Sequence, residues 1–346
     1  MHLTNLGKTR GNQRGNQRPS HRRAVLAAAA STALLVFAGV LPAQAQQDYP
    51  SRPVRVVIGF PPGQATDLVA RLIAERLGPV LGESVIVENR PGQGGSTALA
   101  ALAKSPPDGT TLVLAALASL VTNPHLYKSV GYDTLKDLVP VAIAADLPLL
   151  LVSNPALPVK TVPELVAYAK ANPDKLSHPS SGNGTLSHLG MEDLKRRAGI
   201  TILHVPYQGS ARAMTDLMAG VVNVAMDTVA VTQPFIQAGK MRLLASAYSQ
   251  RLAAFPDTPT VAEQGFPGYT LSAWLGFVAP AGTPRDRVER LSAAITKIVQ
   301  SPEIGQRYAT LGAIQRTAGP DEFRVFMQSE HARWGAIVKA VGAKVD

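Results

Sequence analysis

Cysteine is absent from the 346 residues, which excludes disulfides, thiolate metal sites and a cysteine nucleophile. Acidic residues are absent from the first 45, where Lys8, Arg10, Arg14, Arg18, Arg22 and Arg23 are the only charges. An apolar run from Ala24 to Leu41 follows, then Ala43-Gln44-Ala45. That is the small-x-small pattern of a signal-peptidase site, so cleavage after Ala45 is expected. The apolar run is Ala-rich and ends in this pattern, which favours a cleaved leader over a membrane anchor. Arg22-Arg23 leaves open whether export is general or twin-arginine. Without residues 1–45, 301 residues remain, with 28 basic and 24 acidic side chains, a net charge of +4 instead of +10. No run of Lys and Arg interleaved with aromatics follows Ala45, so the basic whole-chain balance is no nucleic-acid footprint. At about 300 residues a single core usually divides, and two lobes are the expectation.

What is present is an alternation of strands and helices. Val54–Ile58 is β-branched at four of five positions between Pro53 and Gly59, the pattern of a buried strand. A Pro/Gly turn leads to a helix that the pattern opens at Thr66-Asp67, one of them the N-cap, with Leu68, Leu72, Ile73 and Leu77 as its apolar stripe. Ser84–Glu88 and Thr111–Ala116 read as further strands and Thr97–Lys104 as a helix, giving a mostly parallel sheet with helices on its faces. Val139–Ala145 and Leu149–Val152 are two apolar runs split by Asp146-Leu147-Pro148, consistent with one long segment passing between lobes. From Thr161 the alternation restarts: helices from Thr161, Leu189, Ala211 and Val231, and strands at Ile200–Val205, Val221–Met226 and Met241–Ala247, read as a second sheet. Leu271–Pro280 is another strand, and Pro284–Gln300, Glu303–Leu311 and Pro320–Val341 are helical. Trp274 and Trp334 sit in apolar surroundings and read as core.

Two strand-to-helix corners carry the candidate chemistry. The first is Phe60–Asp67, with Gly63, Gln64, Ala65, Thr66 and Asp67; the second is Pro179–His188, with Ser180, Ser181, Gly182, Gly184, Thr185 and His188. Each places small or hydroxyl residues at a helix N-terminus, where free N–H groups and the helix dipole favour an anion. Neither contains Lys or Arg, so an anion there is held by neutral dipoles. The alternative for the second loop is an ordinary capped turn. Tyr207 is either a ligand-stacking residue or a rim tyrosine, and Asp227 either accepts from a ligand or caps a turn. The Ser/Gly loop is neither a P-loop nor a nucleophile elbow. His188 and Glu192 are four apart on a helix, but no third ligand follows at a familiar spacing, so no metal is expected. Gly92–Gly95 lacks the full dinucleotide spacing and reads as a tight turn. No activated nucleophile or placed acid/base pair is found, which argues against an enzyme.

An ordered set of motifs spans nearly the whole mature chain: Tyr49-Pro50-x-x-Pro53, Gly63-x-x-Thr66-Asp67, Val87-Glu88-Asn89-Arg90-Pro91-Gly92 and Pro107-Asp108-Gly109-x-Thr111-Leu112. Ser181-Gly182-x-Gly184, His204-Val205-Pro206-Tyr207-x-Gly209-Ser210 and Gly239-Lys240-x-Arg242 follow. Pro256-Asp257-x-Pro259-Thr260-Val261-x-Glu263-x-Gly265 and Ala279-Pro280-Ala281-Gly282-Thr283-Pro284 complete it. In these the chain resembles the solute-binding proteins of tripartite tricarboxylate transporters, the Bug family of periplasmic receptors. The resemblance implies an α/β, two-lobed type II periplasmic-binding-protein fold, its ligand cleft between lobes joined by two crossing strands. Lobe 1 would be 48–146 plus 272–346 and lobe 2 would be 147–271. It implies a monomer in the periplasm that closes, in Venus-flytrap fashion, on a small carboxylate: a di- or tricarboxylate, an amino acid or an aromatic acid. No cofactor or nucleic acid is implied. The partner would be a membrane permease or, alternatively, a signalling sensor; a periplasmic enzyme is the remaining alternative. Binding transfers to Gly63, Thr66, Asp67, Ser181, Gly182 and Thr185, with His188, Tyr207 and Asp227 beside them. Two departures stand out. Gln64-Ala65 occupy the middle of a loop that is commonly Gly-Gly-x-Thr-Asp, and His178-Pro179-Ser180 opens the second loop where a small or aromatic residue and Gly are more usual.

Overall fold

Strand β1 (Val54–Ile58) forms where its β-branched run places it and pairs in parallel with β2 (Val85–Asn89) and β3 (Thr111–Ala116). The computed structural model describes residues 49–345; the expected leader and its cleavage site lie outside them. Helix α1 (Ala65–Leu81) starts one residue earlier than its pattern indicates. Its N-cap is Gln64, whose side chain makes no capping bond, and Thr66 and Asp67 lie buried in the first turn. The cap expected of Thr or Asp is therefore corrected: Asp67 is turned back into the preceding loop. The buried stripe shifts with it, to Val69, Leu72, Ile73 and Leu77, and leaves Leu68 exposed. Gly82, at φ +79°, ends the helix with its N–H on the Gly78 carbonyl at 3.0 Å, as a left-handed cap requires.

Gln93–Gly95 form a tight 3₁₀ turn before α2 (Ser96–Leu102), and Ala118–Thr122 a π-helical turn before the short α3 (Asn123–Leu126). The two apolar runs around Asp146-Leu147-Pro148 are one strand, β4 (Leu138–Ser153). At about 3.3 Å per residue it spans roughly 50 Å, long enough to serve two sets of partners. Leu138–Pro148 pairs antiparallel with β9 (Ser272–Pro280), and Ile143–Asp146 with β10 (Ile314–Ala318). Leu149–Ser153 pairs instead with β7 (Val224–Thr228) and β8 (Arg242–Ser246). Pro140, which cannot donate to a ladder, sits where the β4–β9 register shifts. β5 (Ser177–Ser180) and β6 (Leu203–Pro206) form a separate parallel pair.

The sheet order is β10-β4-β9-β3-β1-β2, with β7 and β8 added along β4. The expected mostly parallel sheet is thus mixed, because every partner of β4 returns antiparallel to it. Two strands of the expected second sheet, β7 and β8, pair with the Leu149–Ser153 end of β4, so the second sheet shares that strand with the first. β10 has no counterpart in the sequence reading; Ile-Gln-Arg-Thr-Ala is a partly exposed edge with little apolar signal. The middle helices are α4 (Val162–Ala171), α5 (Leu186–Ala198), α6 (Ser210–Met218) and α7 (Val229–Gln237). The last three are α8 (Arg285–Val299), α9 (Pro302–Thr310) and α10 (Pro320–Val341). Thr161 caps α4 as its sequence indicates, accepting from the Glu164 N–H at 3.2 Å. One hydrophobic cluster runs unbroken from Leu99 and Val113 through Ile143 and Leu151 to Leu189 and Met226. Trp274 and Trp334 lie in it, both donating to the buried Glu330 carboxylate at 3.2 and 3.1 Å.

Candidate functional site

The first corner leaves β1 through Gly59. A side chain there would sit 2.4 Å from the Gly95 Cα, so the two backbones can approach only because residue 59 is glycine. Pro61 to Gln64 are exposed. The loop is fixed from below by Asp67, which is buried. Its carboxylate accepts from the Gly63 N–H at 2.9 Å, Asn89 Nδ2 at 2.9 Å and Arg71 Nε at 3.0 Å. Asn89 Nδ2 also donates to the Phe60 carbonyl at 3.0 Å, and Arg71 reaches Asn89 Oδ1 at 3.0 Å. Burial alone would raise the Asp67 pKa; the bonds from Arg71, Gly63 and Asn89 outweigh it and hold the carboxyl below its usual range. Asp67 is a charged brace of the loop, its oxygens engaged inside the protein. Leu68 N–H to the Gln64 carbonyl is the first helical bond, so the amides of Ala65, Thr66 and Asp67 precede the ladder, at the end of a helix that favours an anion.

The second corner joins β5 to α5 and is tied by hydroxyls. Ser187 Oγ lies 3.0 Å from the Ser181 amide, 3.0 Å from Ser181 Oγ and 2.9 Å from Thr185 Oγ1. Thr185 is the N-cap of α5, yet its hydroxyl donates backward to the Gly182 carbonyl at 2.7 Å. The Leu186 and Ser187 amides therefore also precede the ladder. Ser180 is buried, with Oγ on the Gly182 carbonyl at 3.1 Å and 2.7 Å from His204 Nε2. Gly184 has φ +77°, and a Cβ there would meet Leu126 Cδ1 at 2.5 Å. His188 Nδ1 accepts the Gly184 N–H at 3.1 Å.

The loop after β6 is bonded to this corner, Tyr207 N–H to the Ser180 carbonyl at 3.0 Å and Gly209 N–H to that of Ser181 at 3.1 Å. Tyr207 directs its hydroxyl to Asp216 Oδ2 at 2.7 Å; partial burial, then the Asp216 contact, raises its pKa. Asp227 is buried, accepting from Ser210 Oγ at 2.6 Å and from the Thr228 N–H at 2.7 Å. Burial outweighs these bonds and raises its pKa.

The structure therefore joins Ser180, Ser181, Gly182, Gly184, Thr185, His188 and Tyr207 into one hydrogen-bonded corner, with Asp227 tied to it through Ser210 beside Gly209. Gly63, Gln64, Ala65, Thr66 and Asp67 form the other. Gln64 is exposed with no side-chain cap bond. The link between the corners is a segment to which the sequence reading assigned no role. Asn123 Nδ2 donates to the Gln93 carbonyl at 3.0 Å and to Ser96 Oγ at 2.9 Å, beside the Gly95 that Phe60 and Ser119 crowd. Three residues on, Leu126 packs over Gly184. Asn123-Pro124 was the available signal, a polar residue before proline at a helix start. Ser187, Ser210 and Asn89 were also missed, because their partners are distant in sequence or hidden among other hydroxyls.

A cavity of about 490 Å³ lies elsewhere, walled by Pro148, Val229, Leu252, Pro256, Gly312 and Ile314. None of the candidate residues lines it. Among the described residues no group of three or more His, Asp or Glu could hold a metal ion, and no helix is long and apolar enough to cross a membrane.

A family model described as the tripartite tricarboxylate transporter family receptor matches residues 69–343. Protein BugT of Bordetella pertussis is 37% identical over 309 residues, 89% of this chain and 95% of that protein. An R. palustris protein solved with adipate superposes with a TM-score of 0.76 at 34% identity, covering 86% of this chain and 99% of the other. MatC from Rhodopseudomonas palustris, solved with bound malate, has a TM-score of 0.71 at 32% identity, covering 84% and 100%. The fold is the two-lobed α/β type II periplasmic-binding fold.

Proposed function

Because the chain belongs to the tripartite tricarboxylate transporter receptor family, we propose that it captures a small di- or tricarboxylate between its two corners and hands it to a membrane permease. The observation that carries this reading is the pair of corners themselves. Each ends a strand, opens a helix with amides ahead of its ladder, and has no Lys or Arg among its loop residues. A helix N-terminus contributes about 0.3–2 kcal/mol to an anion, and each hydrogen bond to a charged group about 1.5–3 kcal/mol. Four or five such bonds offset association costs and leave roughly micromolar affinity, about −8 kcal/mol. Such binding is reversible, as transport requires. The adipate and malate held by two relatives set the ligand class.

Ligand contact on this reading comes from the Gly63–Thr66 loop, through the Ala65 and Thr66 amides and its small side chains, and from Ser181, Gly182 and Thr185. Asp67, His188 and Tyr207 serve chiefly to hold those groups in place, and Asp227 supplies a polar wall tied to Ser210. The lobes would be 48–146 plus 272–346 and 147–271. The supporting feature is β4, whose partners change between Asp146 and Leu149, with β9 as the second crossing near its start. Closure follows if one anion bonds donors on both lobes, because its affinity is then higher for the closed form. The protein acts without chemical turnover, as a monomer in the periplasm, after cleavage behind Ala45.

Calorimetry of the mature chain against adipate, malate and a tricarboxylate tests this. One-to-one binding near micromolar is expected; absence of binding to all three at millimolar concentration would sink the proposal.

A further inference from the structure

Behind the second corner three imidazoles are stacked. His188 lies over His204 with ring centroids 3.9 Å apart at 13°, and His204 over His178 at 4.9 Å and 22°. They come from α5, β6 and β5, so the stack ties together the three elements that shape the loop. His178 is fully buried, its Nε2 3.2 Å from Glu192 Oε1 and its Nδ1 without a partner. His204 Nε2 meets Ser180 Oγ, and His188 Nδ1 accepts the Gly184 amide. That last bond fixes the tautomer: a ring that accepts at Nδ1 must be neutral, with its proton on Nε2.

We propose that His188 is a proton-sensitive positioning residue, holding the Gly182–Thr185 turn in its anion-receptive shape only while neutral, so that mild acid loosens carboxylate capture. This rests on the receptor reading above. Protonation at Nδ1 turns the acceptor into a donor facing the Gly184 N–H, and the brace is lost. The Gly184 amide then loses this partner, and the turn is left to the Thr185 bonds on the Gly182 carbonyl and to packing under Leu126. His188 acts through this amide and does not need to touch the ligand.

The surroundings keep the stack neutral near pH 7. Burial lowers the His188 pKa against the opposing pull of Glu192, with smaller lowering from His178 and Lys195. Burial, His188 and His178 push His204 down to about 3, and His178 is also lowered, chiefly by burial. Glu192 and Lys195, bonded to each other at 2.6 Å, are the charged groups on α5 that face the rings. The carboxylates of the other packed elements are engaged elsewhere, Asp227 of β7 with Ser210, Asp216 of α6 with Tyr207 and Glu330 of α10 with both tryptophans. Beside Glu192 and Lys195, α10 presents Ala340 and Val341.

The first test needs no ligand or variant. The Gly184 amide and the His188 ring of the mature chain are followed by NMR from pH 7.5 to 4.5. The Gly184 resonance should move with the midpoint of His188, and its solvent exchange, corrected for intrinsic pH dependence, should rise about tenfold as roughly one net hydrogen bond is lost. A Gly184 amide indifferent to the His188 titration, or a His188 that stays neutral throughout, overturns the proposal. The second test is the affinity for adipate at pH 7.5 and pH 5. Gln at 188 supplies an acceptor that does not titrate, so His188→Gln should lose less affinity on acidification than the native chain, ligand protonation being common to both. His188→Phe keeps a ring without an acceptor and should bind weakly at both values. Superimposable pH profiles for native chain and His188→Gln, or native affinity in His188→Phe at pH 7.5, refute it. If no acid binds at any pH the receptor reading fails, and the Gly184 measurement still decides the brace.

Discussion

The two corners present the same tool, a helix N-terminus beside small residues, but they are braced by opposite means. The Gly63–Asp67 corner is pinned by an ionic cluster, the buried Asp67 carboxylate held by Arg71, Asn89 and the Gly63 amide. The Ser180–His188 corner is pinned by neutral groups, four hydroxyls and a stack of imidazoles. The charges of the first brace cancel locally, so neither corner presents a net charge to a ligand. They differ in what disturbs them: the first depends on one carboxylate, the second on protons staying off histidine.

The largest expected effect is on the first brace. Asp67→Ala strands the Gly63 amide and leaves Asn89 and Arg71 without their shared acceptor. Because Arg71 is half exposed, water recovers part of the cost, and a loss of about 2–3 kcal/mol is expected from urea unfolding. Gly184→Ala in the second corner is next. The φ of +77° and the 2.5 Å approach to Leu126 should cost about 1–3 kcal/mol. The leucine end can yield, so the outcome is a folded protein with weakened adipate binding.

Acidification separates the corners most cleanly. Asp67 has a depressed pKa, so its stabilisation is complete above its ordinary 3.8 and fades only as pH falls through the lower folded value. The three histidines are depressed from 6.5, so below pH 6.5 the unfolded chain binds more protons and stability falls towards their folded values. Between pH 7 and 5, hydrogen exchange corrected for pH should accelerate in residues 180–188 and stay constant in residues 60–67. Equal acceleration in both would erase the distinction. The smallest effect belongs to Gln64→Ala. An exposed side chain without a cap bond should leave stability within about 0.5 kcal/mol and adipate affinity nearly unchanged. A large loss of affinity would instead make the Gln64 amide a ligand contact.

Much of this was legible in the sequence because the signals are local. Val54–Ile58, the Thr161 cap, the long β4 and both Gly-containing corners follow from patterns spanning a few residues. The roles within the corners were less legible, since they depend on partners far along the chain. Asp67 and His188 stand out in the sequence as loop polar residues, but the Asn89 that meets the one and the His204 that stacks on the other are 22 and 16 residues away. β10 escaped because an edge strand needs little apolar sequence once β4 supplies its partner. The link through Asn123 and Leu126 escaped because nothing in Ala118–Leu126 signals which loops it will touch.

One anion shared by both corners is the heart of this reading, and an NMR titration with adipate observes it directly. The Ala65 and Thr66 amides and those of Ser181 to Ser187 should shift together, along one saturation curve with a single midpoint. Shifts confined to one corner, or two curves with separate midpoints, would contradict it.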